Sequence, residues 1–341
     1  MEGWRNMRAF LVLVLVASML VLAAPVAADA PEFPDFTPMD AGPEGVAVDN
    51  VGNVFVSVGI GGQTEVWKFD PTGEGEVLAY VEGPAPAGLA VDANGKHVYL
   101  AQQTGGVFEI DMGGDVQLVP GTDAIVLPNS LAFDKRGNLY ITETFSLDPE
   151  DSGLVTCAKG SFGRGGIWVV PKGGEAQLLL RHDDLTGTCD VTVPIPFPIG
   201  ANGLAYRQGS LFVANTEKAL LLEIPVLRGG GLGDIVEIAD LSGAAMFGPM
   251  MIDGIALDVH GNIYAAIITD GSIMRVSPDG ERFDVMATVE DNLDFPASLA
   301  FGTGKGERQS VFVTNLALGP PGFAGPGFAK VDMGQPGMPL P

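Results

Sequence analysis

Six stretches of this 341-residue chain share the pattern x-x-G/S-[VLI]-A-[VFYL], and a chain built on such a repeat has few folds open to it. They are Pro43–Val48, Pro86–Val91, Pro128–Phe133, Ala201–Tyr206, Ile252–Leu257 and Pro296–Phe301. The starts recur roughly every 42 to 51 residues, apart from a longer interval of about 73 between the third and the fourth; a period of about 40–50 residues belongs to propellers and solenoids. In four repeats an Asp opens a tight turn (Asp49, Asp92, Asp134, Asp258), with Gly52, Gly95, Gly137 and Gly261 supplying the left-handed position. A β-branched or aromatic strand follows, such as Val54–Val58 or Leu139–Thr142, and two further short strands complete the unit. No 3.6-residue periodicity runs through any repeat, which disfavours a helical solenoid. Four antiparallel strands repeated six times give an all-β, six-bladed β-propeller. The 48 Gly and 25 Pro residues fit that turn-rich architecture.

Two departures from regularity carry information. The sixth repeat runs out after Val331, one strand short, and residues 34–38 are placed to supply the missing outer strand and latch the ring, since a closed ring removes an exposed sheet edge. The long interval elaborates blade three. Its second strand ends near Thr142 and its third begins near Ile167, so lid loops are expected at about 145–165 and 182–200. Each loop holds one of the two cysteines, Cys157 and Cys189. Both loops emerge on one face of a propeller, and two lone cysteines in an exported chain favour a disulfide. The pair would either staple a lid beside the channel or simply tie a long loop down.

Export is read from the N-terminus. Arg5 and Arg8 precede an apolar run, Ala9 to Ala24, followed by small residues suited to signal peptidase, so residues 1–30 are expected to be a signal peptide and 31–341 one propeller domain, periplasmic or extracellular. No second stretch is apolar and long enough to span a bilayer. The formal net charge of −24 argues against nucleic-acid binding, which needs basic surface, and favours cation capture where acidic groups are focused.

The second position of the repeat reads Glu44, Ala87, Asn129, Asn202, Asp253 and Ala297. If the repeats stand around an axis, four oxygen-bearing side chains converge on it. Two carboxylates and two amides form an all-oxygen donor set suited to a hard cation. Calcium fits best, with another divalent cation as the alternative; zinc would call for His or Cys. The alanines leave room on one side for water or a substrate.

This constellation resembles the SMP-30/gluconolactonase-like family, on the six-repeat plan and on Pro43-Glu44-Gly45, Asn129, Asn202-Gly203 and Asp253-Gly254. The resemblance implies that Glu44, Asn129, Asn202 and Asp253 bind a catalytic divalent cation, usually calcium, at the centre of the propeller. It implies hydrolysis of lactones, esters or organophosphates. A cation there would hold the substrate beside the acidic ligand Asp253, the candidate catalytic carboxylate, as either general base or nucleophile. The strand-turn units also look like NHL repeats, whose propellers are often binding scaffolds. The alternative is therefore a non-catalytic propeller that binds a ligand or protein on its top face. The related paraoxonases use a histidine pair above the metal, but His97 and His260 sit at turns on the opposite face, leaving only His182 near the lid.

The links that lead into metal-bearing blades four and five are apolar, and Phe295 precedes blade six. Met250, Met251, Phe197 and Phe295 either pack over the channel mouth or line a pocket for a small, apolar substrate.

Overall fold

Each repeat folds into one antiparallel four-stranded sheet, and the six sheets form the six-bladed propeller expected from the sequence. The computed structural model describes residues 32–148, 154–157, 160–189, 197–244, 250–318 and 324–340. The N-terminal segment 1–30 therefore lies outside the described residues, as do Val193–Pro196 and Met246–Pro249 of the two apolar links. The inner strands are the six repeat motifs: Pro43–Val48, Pro86–Val91, Pro128–Phe133, Ala201–Arg207, Ile252–Leu257 and Pro296–Phe301. Blade six is completed from the other end of the chain. Phe36–Pro38 pairs antiparallel with Gly327–Asp332, with Thr37 opposite Phe328, so the first strand among the described residues becomes the outer strand of the last blade.

The Asp-led turns form as their side chains dictate. Asp49 Oδ1 accepts the N–H groups of Val51 and Asn53, both at 2.9 Å, and Asn53 Nδ2 donates to Asp49 Oδ2 at 2.6 Å. Asp134 repeats this with Arg136 and Asn138, and Asp258 with His260 and Asn262. A short side chain that satisfies two backbone donors fixes the reversal before any tertiary contact forms.

Apolar packing is divided among wedges between neighbouring blades. Phe55, Leu89 and Leu100 meet between blades one and two, and Phe212, Leu221 and Ile255 between four and five. At the closing seam Phe33 stacks edge-on against Phe312 at 4.9 Å, and Phe69 against Phe328 at 5.0 Å. At the lower end the C-terminal tail lies across the channel. Met338 N–H donates to the Leu257 carbonyl at 2.9 Å, Val259 N–H donates to the Pro336 carbonyl at 3.0 Å, and Met338, Pro339 and Leu340 line a lower cavity with residues from every inner strand.

The long interval in blade three adds a hairpin, Val155–Cys157 with Gly160–Phe162, between the blade's second and third strands. Cys157 and Cys189 form a disulfide with Cα atoms 5.7 Å apart, bridging the two loops. Among the described residues no helix is long and apolar enough to cross a membrane.

Candidate functional site

A shared backbone irregularity aims the second-position residues. In all six blades the pairing of the inner strand with its neighbour skips two residues: Pro43 pairs with Val58 and Val46 with Val56, and the same shift recurs at Pro86/Leu89, Pro128/Leu131, Ala201/Leu204, Ile252/Ile255 and Pro296/Leu299. The skipped residues are Glu44–Gly45 and their five counterparts. A bulge of this kind bends the strand and re-aims a side chain. Here it does so six times around the ring.

The unpaired backbone groups at the bulges find partners across blade boundaries. Gly45 N–H donates to Ser57 Oγ at 3.0 Å, and Ser57 Oγ donates to the Ala87 carbonyl at 3.1 Å. Thr142 Oγ1 accepts from Ser130 N–H and donates to the Asn202 carbonyl, both at 2.8 Å. Thr314 Oγ1 accepts from Ser298 N–H at 3.0 Å and donates to the Glu44 carbonyl at 2.6 Å. A second-strand hydroxyl thus ties its own bulge to the second-position residue of the next blade. Packing there leaves no room for a side chain at position 203, where an added Cβ would sit 2.4 Å from the Asp253 carbonyl oxygen.

Glu44, Asn129, Asn202 and Asp253 all line one cavity of about 240 Å³ at the upper end of the channel. Asn129, Asn202 and Asp253 are buried, at 7%, 5% and 6% exposure, while Glu44 keeps partial access. Asn202 Nδ2 donates to Thr216 Oγ1 at 3.0 Å, and Asn129 Nδ2 lies 3.5 Å from Thr144 Oγ1. Burial pushes the Asp253 carboxyl up to about 7, against the lowering effect of a hydrogen bond from the Asn202 side chain. Burial holds Glu44 well above the usual carboxylate range, and the charge of Asp253 adds to the effect. Among the described residues the lining contains no Lys, Arg or His. Two carboxyls thus share a buried space with no basic side chain to neutralise them, a situation that a proton or a bound cation relieves. Among the described residues no group of three or more His, Cys, Asp or Glu side chains is arranged to hold a metal ion, so a cation here would draw on the mixed carboxylate–amide set. Those four side chains suit calcium, which takes carboxylate and amide ligands in irregular geometry.

Of the four apolar residues expected at the pocket, Met251, Phe197 and Phe295 line this cavity. Met250 does not: it is 1% exposed and packs into the cluster between blades four and five with Leu221 and Ile252. Adjacent residues in extended chain face opposite ways, so only one of the two methionines can reach the channel. Thr144 and Thr216 were missed from sequence. Their signal is present, because each follows the second strand of a blade whose second-position residue is Asn.

The lid reaches the cavity through aromatic contacts. Phe162 of the added hairpin stacks edge-on against Phe145 at 4.8 Å, and Phe145 lies 5.4 Å from Phe197. Glu217 holds both flanks of the second loop, accepting the N–H of Cys189 at 2.7 Å and of Ile199 at 2.8 Å. The histidines stay outside: His182 caps a short 3-10 turn by accepting Asp184 N–H, and His97 pairs with Asp92.

Residues 172–316, which include Asn202 and Asp253, match the family model described as SMP-30/Gluconolactonase/LRE-like region. No curated protein matches the chain. Among solved structures, the calcium-binding protein regucalcin from Agrobacterium tumefaciens is similar over 91% of this chain and 97% of its own, at 18% identity and a TM-score of 0.64. A luciferin-regenerating enzyme covers 89% of this chain and 95% of its own at 12% identity and a TM-score of 0.63. A gluconolactonase from Xanthomonas campestris covers 91% and 99% at 16% identity and a TM-score of 0.55. At such identities the likeness to these structures is one of fold. The family met along residues 172–316, and the one that the motifs of the whole ring resemble, is the SMP-30/gluconolactonase/LRE-like family.

Proposed function

We propose that this protein is an exported, calcium-dependent hydrolase of a small lactone, ester or phosphotriester, acting at the upper end of the propeller channel. The observation that carries this reading is the convergence of two carboxyls and two amides, from four different blades, on one cavity whose described lining has no basic side chain. The family match supports lactonase-type hydrolysis of a small molecule. The Cys157–Cys189 disulfide supports an oxidising compartment, periplasmic or extracellular.

Glu44, Asn129, Asn202 and Asp253 would hold the cation; when bound, it supplies Lewis-acid polarisation of a carbonyl or phosphoryl oxygen. Glu44 serves mainly as a charged anchor. Asn202, held by its bond to Thr216 Oγ1, stands beside Asp253 and favours its charged form. Asp253 is the group that takes a proton from the attacking water or attacks the substrate itself. A single turnover in ¹⁸O-water tests the nucleophilic route: Asp253 would displace the alkoxide leaving group to form a mixed anhydride, and hydrolysis at the Asp253 carbonyl would leave label in Asp253, whereas direct attack of water leaves Asp253 unlabelled.

The deciding experiment is a panel of lactones, aryl esters and phosphotriesters assayed with calcium and with chelator. Calcium-dependent turnover is expected. A calcium-dependent rise in melting temperature with no turnover across the panel would overturn the hydrolase reading in favour of a ligand-binding NHL-like scaffold.

A further inference from the structure

The walls of the upper cavity are sorted by chemistry. Its floor is the second-position oxygen set, backed by the hydroxyls of Thr144 and Thr216. The collar above comes from the links that precede the inner strands and from the segment after the second strand of blade six. It presents Leu127, Phe197, Ile199, Phe295, Leu316 and Leu318. The other members of this upper layer include Gln103 and Thr269, neither of them charged. Two carboxylates would neutralise one divalent cation, leaving no net positive field for an anionic substrate. A polyhydroxylated ring would desolvate its hydroxyls against a collar that offers them few partners.

Phe295 stands out within the collar. Its φ is +52°, in the left-handed region that bulky residues seldom occupy. The conformation is enforced from several sides: Leu316 N–H donates to the Phe295 carbonyl at 3.0 Å, Ala317 N–H to the Asp294 carbonyl at 3.0 Å, and Asp294 N–H to Asn315 Oδ1 at 3.1 Å. Asn315 Nδ2 in turn donates to the Asn292 carbonyl at 2.7 Å. Glycine would suit this backbone without strain. A half-buried aromatic ring is held there instead, facing the cavity rather than the core. Strain that the surroundings over-determine is a feature of ligand clamps.

We infer that the substrate is a neutral molecule with a short apolar substituent beside its reacting carbonyl or phosphoryl group, and that Phe295 is the residue that selects it. This rests on reading the cavity as a substrate site, and it narrows the substrate class.

The test is calorimetric binding of non-hydrolysable lactams to the calcium-loaded protein, so that it does not depend on turnover. The probes are an unsubstituted γ-lactam, its butyl and octyl derivatives, a sugar lactam and a carboxylated lactam. Affinity is expected to rise about threefold to fourfold per methylene up to butyl, as for transfer of a CH₂ from water. The gain should level off towards octyl, because the cavity holds only about 240 Å³. The sugar and carboxylated lactams should bind at least about tenfold more weakly than the butyl probe, as expected for loss of several buried methylenes. Phe295→Gly should flatten the chain-length series, and Phe295→Leu should retain most of it. Should Phe295→Gly fail to fold, Phe197→Ser probes the same collar. Equal or tighter binding of the sugar or carboxylated lactam overturns the inference, as does a flat series or no binding by any probe. A chain-length series without lactone turnover sinks the hydrolase reading and leaves standing only the selection of a neutral, apolar ligand by Phe295.

Discussion

Thr314 Oγ1 donates to the carbonyl oxygen of Glu44 at 2.6 Å, so the sixth blade grips the first at the residue whose side chain faces the cavity. The two residues are 270 positions apart, and the bond sits at the closing seam of the ring. Thr314→Val keeps the shape and removes the hydroxyl, leaving a buried carbonyl and the Ser298 N–H without their partner. The expected loss is about 1–3 kcal/mol in urea unfolding, with Thr314→Ser close to the parent. A Val variant as stable as the parent would show that this bond contributes nothing to closure.

Asp253→Asn should abolish hydrolysis, by about 10²- to 10⁴-fold as for loss of a positioned proton acceptor, while the circular dichroism spectrum is unchanged. With a chelator present, at pH 8, the variant should be no less stable than the parent, because it removes a buried charge. Undiminished turnover would eliminate the role given to Asp253.

Acidity should act on the metal-free protein in an unusual direction. Asp253 stands at about 7 in the fold, above its unfolded value of about 3.9, so between these limits the native state binds the proton more tightly. In chelator, stability should therefore fall as pH rises from about 4 to about 7, and Asp253→Asn should reduce that slope. Calcium competes with the proton, so the stabilisation it gives should grow over the same range. A calcium effect that is the same at pH 5 and pH 8 would contradict both carboxyls as ligands.

Reduction of Cys157–Cys189 should loosen the segment that carries Phe197 and Ile199. The cysteines are 32 residues apart, for which loop entropy gives about 3–4 kcal/mol if the loop unfolds with the ring. The double variant Cys157→Ser/Cys189→Ser should melt lower and raise KM more than it lowers kcat. Unchanged melting and KM would reduce the bridge to a tie on a surface loop.

Truncation after Gln335 removes the tail that crosses the lower end of the channel. Loss of the Met338 and Val259 bonds and of the Met338–Leu340 side chains should expose the lower apolar cavity, seen as increased binding of an apolar fluorescent dye and a lower melting temperature. An unaltered dye signal would mean that the tail does not seal this end.

By itself the sequence determined what is local or repeated. The six inner strands, the Asp-led turns, the elaboration in blade three and the second-position oxygens were legible because each recurs at a fixed offset or stands out against a period. The tertiary structure decided what depends on contacts between distant segments. It fixed the register of Phe36–Pro38 against Gly327–Asp332, turned Met251 into the cavity and Met250 into the core, and set the left-handed backbone of Phe295. It also joined Ser57, Thr142 and Thr314 to carbonyls of neighbouring blades. None of these follows from periodicity. A shift of one residue along an extended strand reverses its facing, and a hydroxyl's partner is chosen only when the ring has closed around it.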